Sequence, residues 1–389
     1  MALVFSVLLI RIYAEETKFV SFDSQCYLEV SQNLRDGKGA YFHLPSENPT
    51  LERYFAIWPL GYPLLLVLLS WTFFTNVFVA SKLLNFIAIL LITCVIAQKR
   101  PSFYPYFILL FCSFSALEVF SYTWSEGIFM AVLLSYFFVL SEYIRQPNVK
   151  AIFILFFLFL FALSIRYAGV FLWLVNVLVM LKFRLTNRVF VGMNLAVFVL
   201  FGLYLYHNYR MTGYPTGIER INTTLVSYEE FFRTFFISLL NVGLIVRKFT
   251  HFSDIAFYFT TLFQLVISYF LLKNFRWSFL KNTDLFAQVV LLGGTAYLFS
   301  IFSLTCIGAV SYFDYRTMFP IEFLAWLLWL YQLTRDENKQ FFKKSKPYVV
   351  ALFLFSLLFN LPKRFIANSF CQFSYICIQP QNYQSNVMY

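Results

Sequence analysis

Charge is scarce in this chain. Asp, Glu, Lys and Arg make up 13% of 389 residues, against 60% hydrophobic, which excludes a soluble globular domain, where about a quarter of residues are charged. Also missing are a Walker-type glycine loop, a GxGxxG turn, a GxSxG elbow and an HExxH helix. A transporter driven by ATP is thereby excluded for this chain alone, and direct use of a nucleotide is not expected. Cysteine is sparse and shows no zinc-like pairing. Cys94, Cys112 and Cys306 fall in apolar runs, where a small buried hydrophobe is the default. Cys371 and Cys377 are close enough for a disulfide if their tail faces an oxidising compartment. With no fixed-period repeat and no low-complexity linker, residues 1–389 are expected to form one integral domain.

What is abundant is apolar sequence in long runs. A bilayer core about 30 Å thick needs roughly 20 apolar residues per helical span, and these run lengths suit helices rather than a barrel. The spacing predicts an all-α, polytopic membrane protein. Spans are placed at 3–13, 77–97, 103–121, 127–144, 150–165, 167–183, 189–206, 254–273, 285–306, 317–334 and 347–361. That is about 11 transmembrane helices, within a range of 10–13, because 228–246 reads as either an interfacial helix or a further span. The opening run is short and contains Arg11. A cleaved signal peptide competes with a retained first span, but the basic n-region of a signal is missing, so the span is expected. The 53 phenylalanines serve lipid contact and helix packing, with no cofactor role read into them.

The net charge of +11 follows from topology rather than from a nucleic-acid partner. Cations collect in alternate breaks: Lys99 and Arg100; Arg145 and Lys150; Lys182, Arg184 and Arg188; Lys273, Arg276 and Lys281; and Arg335 with Lys339, Lys343, Lys344 and Lys346. These breaks are expected in the cytoplasm. The first outer loop (14–76), a second (207–253) and a C-terminal tail (362–389) then face outside. With them go His43, His207 and His251, and also Asp23, Glu126, Arg166, Asp314 and Arg316.

The densest polar stretch, Phe22 to Leu66, has to lie in water beside the membrane. Asp23 opens an amphipathic pattern through Tyr27, Val30 and Leu34 that Gly37 and Gly39 stop. Pro59 and Pro63 then suit the start of a helix in or dipping into the interface. Asp23 has two readings, a helix N-cap or a general base. Glu118 and Glu126 lie near outer helix ends, where pairing with Arg166 would offset the cost of carboxylates in lipid. Arg316 either pairs with Asp314 or grips a lipid phosphate through its forked donors, and Arg53 has the same two readings. The sequon at Asn222 carries no weight.

Taken together, FDSQCYLEVSQNLRDGKGAYFHLP, then WPLGYPLLLVLL and VFVASKLLNFIAILLITCVI, resemble the front of the GT-C-type polyprenyl-phosphate-sugar-dependent glycosyltransferases. That broad family includes protein mannosyltransferases and lipid A aminoarabinose transferases. The likeness extends to WSEGIF, IRYAGVFLW and DYRTMFP, and covers the first 185 residues better than the rest. The resemblance implies a GT-C-like bundle with juxtamembrane helices in the first outer loop. It implies an inverting transfer of a sugar from a polyprenyl-phosphate donor to a hydroxyl of a glycan, lipid or protein acceptor, outside the inner membrane. Asp23 would be the catalytic base. Arg316, Arg166 and Arg53 would bind the donor phosphate, with Glu126, Tyr27 and His43 in support. Where the family often has a second acidic residue, this chain has Ser24, which weakens any claim for a metal there; a divalent cation is otherwise left open. Some members carry a large soluble domain where this chain has a short tail, so acceptor recognition is expected to rest on the outer loops. The alternatives are a transporter or flippase of lipid-linked sugars, or a glycan polymerase or ligase.

Overall fold

The computed structural model describes residues 1–43, 52–99, 101, 104–185, 187–219, 227–273, 284–306, 313–335 and 338–362. Cys371, Cys377, the sequon, Arg100, Arg276 and Lys281 lie outside the described residues.

Helix α1 (Ala2–Ala14) precedes α2 (Phe22–Arg35), the strands β1 (Tyr41–His43) and β2 (Glu52–Tyr54), and α3 (Gly61–Thr72). The strands form an antiparallel hairpin with Tyr41 opposite Tyr54, an element too short to leave a periodic signal in sequence. Next comes α4 (Val77–Lys99). Then α5 (Tyr104–Phe107), extended by a 3-10 turn to Cys112, meets α6 (Phe114–Ser121) at a 76° bend. After α7 (Glu126–Arg145) and α8 (Val149–Ile165), a 3-10 turn leads into α9 (Phe171–Phe183). The remainder is α10 (Arg188–Thr212), α11 (Tyr228–Val242), α12 (Ile255–Leu272), α13 (Leu285–Cys306), α14 (Phe319–Leu333) and α15 (Lys339–Phe359).

Helices stand at each place where the sequence puts an apolar run, but the count of eleven spans is not reproduced. Among the described residues, five helices (α4, α7, α10, α12, α13) are long and apolar enough to cross a membrane, or six if the bent pair from Tyr104 to Ser121 is one span. The reason is length. Helices α1, α8, α9 and α14 have 13, 17, 13 and 15 residues, and at 1.5 Å per residue they rise less than the hydrocarbon core is thick. The segment at 103–121 is broken, and α15 opens with four lysines.

Helix α7 is the hub, packed against α4, α8 and α13. Its approach to α13 requires glycine, since a Cβ on Gly293 would lie 2.3 Å from the ring of Phe137. A polar chain ties three helices within the bundle: Tyr136 donates to Asn176 Oδ1 (2.7 Å) and Asn176 to Asn194 Oδ1 (2.7 Å). Part of the stretch assigned to the second outer loop is buried. Between α11 and α12, Ile245 and Val246 are at most 1% exposed in non-helical backbone. Gln264 Oε1 accepts from Ile245 N (2.9 Å), and Ile245 O accepts from Phe114 N (2.8 Å) and Ser356 Oγ (3.1 Å). Such satisfaction from neighbouring helices is what lets irregular backbone exist inside a membrane fold.

Candidate functional site

The site is built where α2 and α7 begin. Ser21, not Asp23, caps α2: its Oγ accepts from Ser24 N at 3.3 Å. The helical backbone starts at Phe22, so the cap lies one residue earlier and Asp23 sits inside the first turn with its carboxylate directed elsewhere. That first turn is docked onto the segment before α7. Trp124 Nε1 donates to Ser21 Oγ (2.7 Å) and Ser24 Oγ to Thr123 O (3.1 Å). Helix α4 fixes the same segment from the other side. Lys82 Nζ donates to Ser121 O (2.7 Å), and Asn85 Nδ2 donates to Phe120 O (3.0 Å) and Tyr122 O (2.8 Å). These groups satisfy carbonyls left open at the end of α6.

Four charged side chains then converge. Arg316 donates from Nε to Glu126 Oε1 and from Nη1 to Asp23 Oδ2. Arg166, at the end of α8, brings Nη1 into ion-pair contact with the same Glu126 oxygen. Glu126 is 1% exposed, whereas Asp23, Arg316 and Arg166 are each about one-fifth exposed, at 20%, 18% and 19%. The buried carboxylate is the floor and the other three are the mouth. The guanidinium of Arg316 also lies over the Trp124 ring, 4.3 Å from its centroid. Burial alone would depress the Arg316 pKa, but Glu126 and Asp23 outweigh it and raise it, so the cation persists at every accessible pH. Both carboxylates lie in the first turn of their helices, where the positive end of the helix dipole favours anions.

Tyr27 lines the floor beside Glu126. Its hydroxyl is 3.4 Å from Ser125 Oγ, and its ring packs on Phe55, Trp58 and Tyr62. Burial, and then Glu126, hold its phenol pKa above the ordinary value. Among the described residues, Glu126 Oε2 and Tyr62 Oη here are buried without a hydrogen-bond partner, and Arg166 Nη1 has only its ion-pair contact with Glu126. Native structures leave few such atoms unpaired, and a cluster of them marks a place suited to a polar ligand.

Several expected pairings differ. Asp314 does not pair with Arg316; its carboxylate accepts from Thr317 N (2.6 Å) and shapes the turn that presents Arg316. Glu118 is bound by Arg11 rather than Arg166. His43 sits on the hairpin with Nδ1 2.6 Å from Glu29 Oε1. Arg53 is exposed on β2, opposite Phe42, on the hairpin rather than in the cluster. Sequence reasoning missed Trp124, Tyr62, Lys82, Asn85 and the Tyr297 hydroxyl that anchors Thr317 O at 3.1 Å. Of these, Trp124 had a signal, standing two residues before Glu126 in TWSEGIF.

An apolar cleft of about 530 Å³ lies between α3, α8 and α10, walled by leucines, Phe161, Phe201, Tyr204 and Ser164. Ser164 is two residues from Arg166. Among the described residues, no three His, Cys, Asp or Glu side chains gather as a metal site. No family model, curated protein or solved structure matches this chain.

Proposed function

We propose that this protein is a GT-C-type membrane glycosyltransferase that moves a sugar from a polyprenyl-phosphate donor to an acceptor hydroxyl on the outer face of the inner membrane. The observation that carries the reading is the convergence of Asp23, Glu126, Arg166 and Arg316 at the mouth of two helices. These residues are up to 293 positions apart in sequence. The apolar cleft between α3, α8 and α10 supplies a wall for a lipid chain.

In this reading Asp23 takes the proton of the acceptor hydroxyl while its oxygen attacks the anomeric carbon. The bond from that carbon to the phosphate oxygen breaks, and the lipid phosphate leaves with one more negative charge than it had in the donor. Arg316 and Arg166 stand where that charge develops, which is the requirement for electrostatic stabilisation of the leaving group. Glu126 orients both guanidiniums, and Trp124 supports Arg316 from below.

The test is to supply the purified protein in lipid nanodiscs with a panel of radiolabelled polyprenyl-phosphate sugars and measure which is consumed. Consumption of one donor supports the transferase, and inertness towards every donor sinks it. Orientation is tested separately: a phosphatase reporter fused after Gly39 should be active and one fused after Lys339 inactive, and the reverse would place Asp23 in the cytoplasm.

A transporter of lipid-linked sugars is the second reading. It draws on the buried Lys248–Glu322 pair, with Lys248 Nζ 2.8 Å from Glu322 Oε2 next to the irregular segment between α11 and α12. Movement of labelled donor across a liposome bilayer without its consumption would favour that reading.

A further inference from the structure

Arginine presents its donors along two forked edges, one formed by Nε with Nη2 and one by Nη1 with Nη2. A bidentate grip on an oxoanion needs both donors of one edge. In Arg316 each edge already has one donor committed, Nε to Glu126 and Nη1 to Asp23. A phosphate can therefore be held by two parallel N–H bonds only if one carboxylate gives way.

The two carboxylates are not equally held. Glu126 is 1% exposed and is also in contact with Arg166. Asp23 is 20% exposed, and Arg316 is its one cationic partner among the described residues. Exchange at Asp23 opens a mouth-facing edge, whereas exchange at Glu126 would strand a buried carboxylate. Charge points the same way. Two guanidiniums and two carboxylates leave the cluster formally neutral, so an added phosphate is favoured only once one carboxylate has withdrawn.

We infer that the Asp23–Arg316 ion pair is a latch that an incoming phosphate opens. The phosphate takes the place of Asp23 on Nη1, and the displaced carboxylate becomes available to an acceptor hydroxyl. The exchange rests on the geometry of Arg316, and the task given to the freed Asp23 rests on the transferase reading. The ligand chemistry is a phosphate oxoanion, presented by a lipid monophosphate or as free phosphate. A consequence is order: donor binds before the base is free, so proton removal is withheld until the leaving group is gripped.

The experiment is calorimetric titration of the purified full-length protein in detergent with farnesyl phosphate and, separately, inorganic phosphate. Wild type is compared with Asp23→Asn, Asp23→Ser and Asp23→Glu. Removing the competing charge should tighten phosphate binding on the order of tenfold in the Asn and Ser variants, with no gain in the Glu variant. Tightening of both ligands means the latch responds to the oxoanion itself; tightening of farnesyl phosphate alone means the lipid chain must be present as well. Unchanged or weaker binding in whichever of the Asn and Ser variants folds would overturn the latch, as would an equal gain in the Glu variant. The transferase reading is judged apart from this. Tighter phosphate binding by a protein that moves no sugar keeps the latch and removes the transferase, and sugar transfer with unchanged phosphate affinity does the opposite.

Discussion

Replacing Glu126 by alanine removes the anion on which both arginines converge. Arg316 keeps Asp23, but Arg166 loses its carboxylate partner and the two guanidiniums, each mostly buried, face one another. Breaking a buried ion pair by deleting one partner costs about 3–5 kcal/mol, most of it the penalty of the stranded charge. The Glu126→Ala variant should therefore lose stability of that order. Adding Arg166→Met removes the stranded charge while keeping an unbranched side chain of similar reach. The double variant should recover about 2 kcal/mol or more relative to the sum of the two single changes, a coupling typical of contacting charges. The assay is equilibrium unfolding in mixed detergent and dodecyl sulfate micelles, because heat-unfolded membrane proteins seldom refold. A loss below about 1 kcal/mol for Glu126→Ala, or simple additivity in the double variant, would refute the shared-anion account.

Arg316→Lys should retain more donor binding than Arg316→Ala while falling short of wild type, because lysine keeps the charge and loses the fork; equal donor affinity in all three proteins, measured by titration, would contradict this. Gly61→Ala should destabilise by about 1–3 kcal/mol, since its Cβ would lie 2.4 Å from the backbone oxygen of Ser164 where α3 meets α8, and unfolding at wild-type denaturant would count against that close approach. Cys26 is buried, and burial followed by the Asp23 charge pushes its thiol from 9.0 up to about 12. Stability it contributes below pH 9.0 should be lost as pH rises towards about 12, and the folded protein should leave Cys26 unalkylated by maleimide at pH 8; rapid labelling there would show an open first turn of α2.

How much of this was legible in the sequence depended on range. The helices at 77–99, 126–145 and 285–306 follow from apolar runs, a local property. Whether a run spans the membrane is not local: α8 and α14 read as spans by hydropathy, yet end after 17 and 15 residues. The break after Cys112 reflects Ser113 capping α6 through Ala116 N (3.3 Å), a signal ordinary enough to pass unnoticed in an apolar run. Asp23, Glu126, Arg166 and Arg316 stood out as costly charges at helix ends. The pairing of Glu126 with Arg166 was legible, but the place of Arg316 beside Asp23 and Glu126 was hidden because Arg316 had a sequence-near carboxylate in Asp314, which the fold uses for a turn instead. Lys248 with Glu322 and Arg11 with Glu118 meet across 74 and 107 residues, which no local pattern encodes.

In the proposed reaction Asp23 removes a proton from the acceptor while arginine holds the departing lipid phosphate. Its most direct test is sugar transfer from a labelled polyprenyl-phosphate donor by wild type and by Asp23→Asn, at equal amounts of folded protein. Because Ser21 caps α2, the asparagine leaves the helix start intact and removes only the charge and the basic oxygen. Transfer should fall by roughly 10²-fold or more, the scale of losing a general base. Transfer by Asp23→Asn at close to the wild-type rate would contradict that role and return Asp23 to a purely structural ion pair.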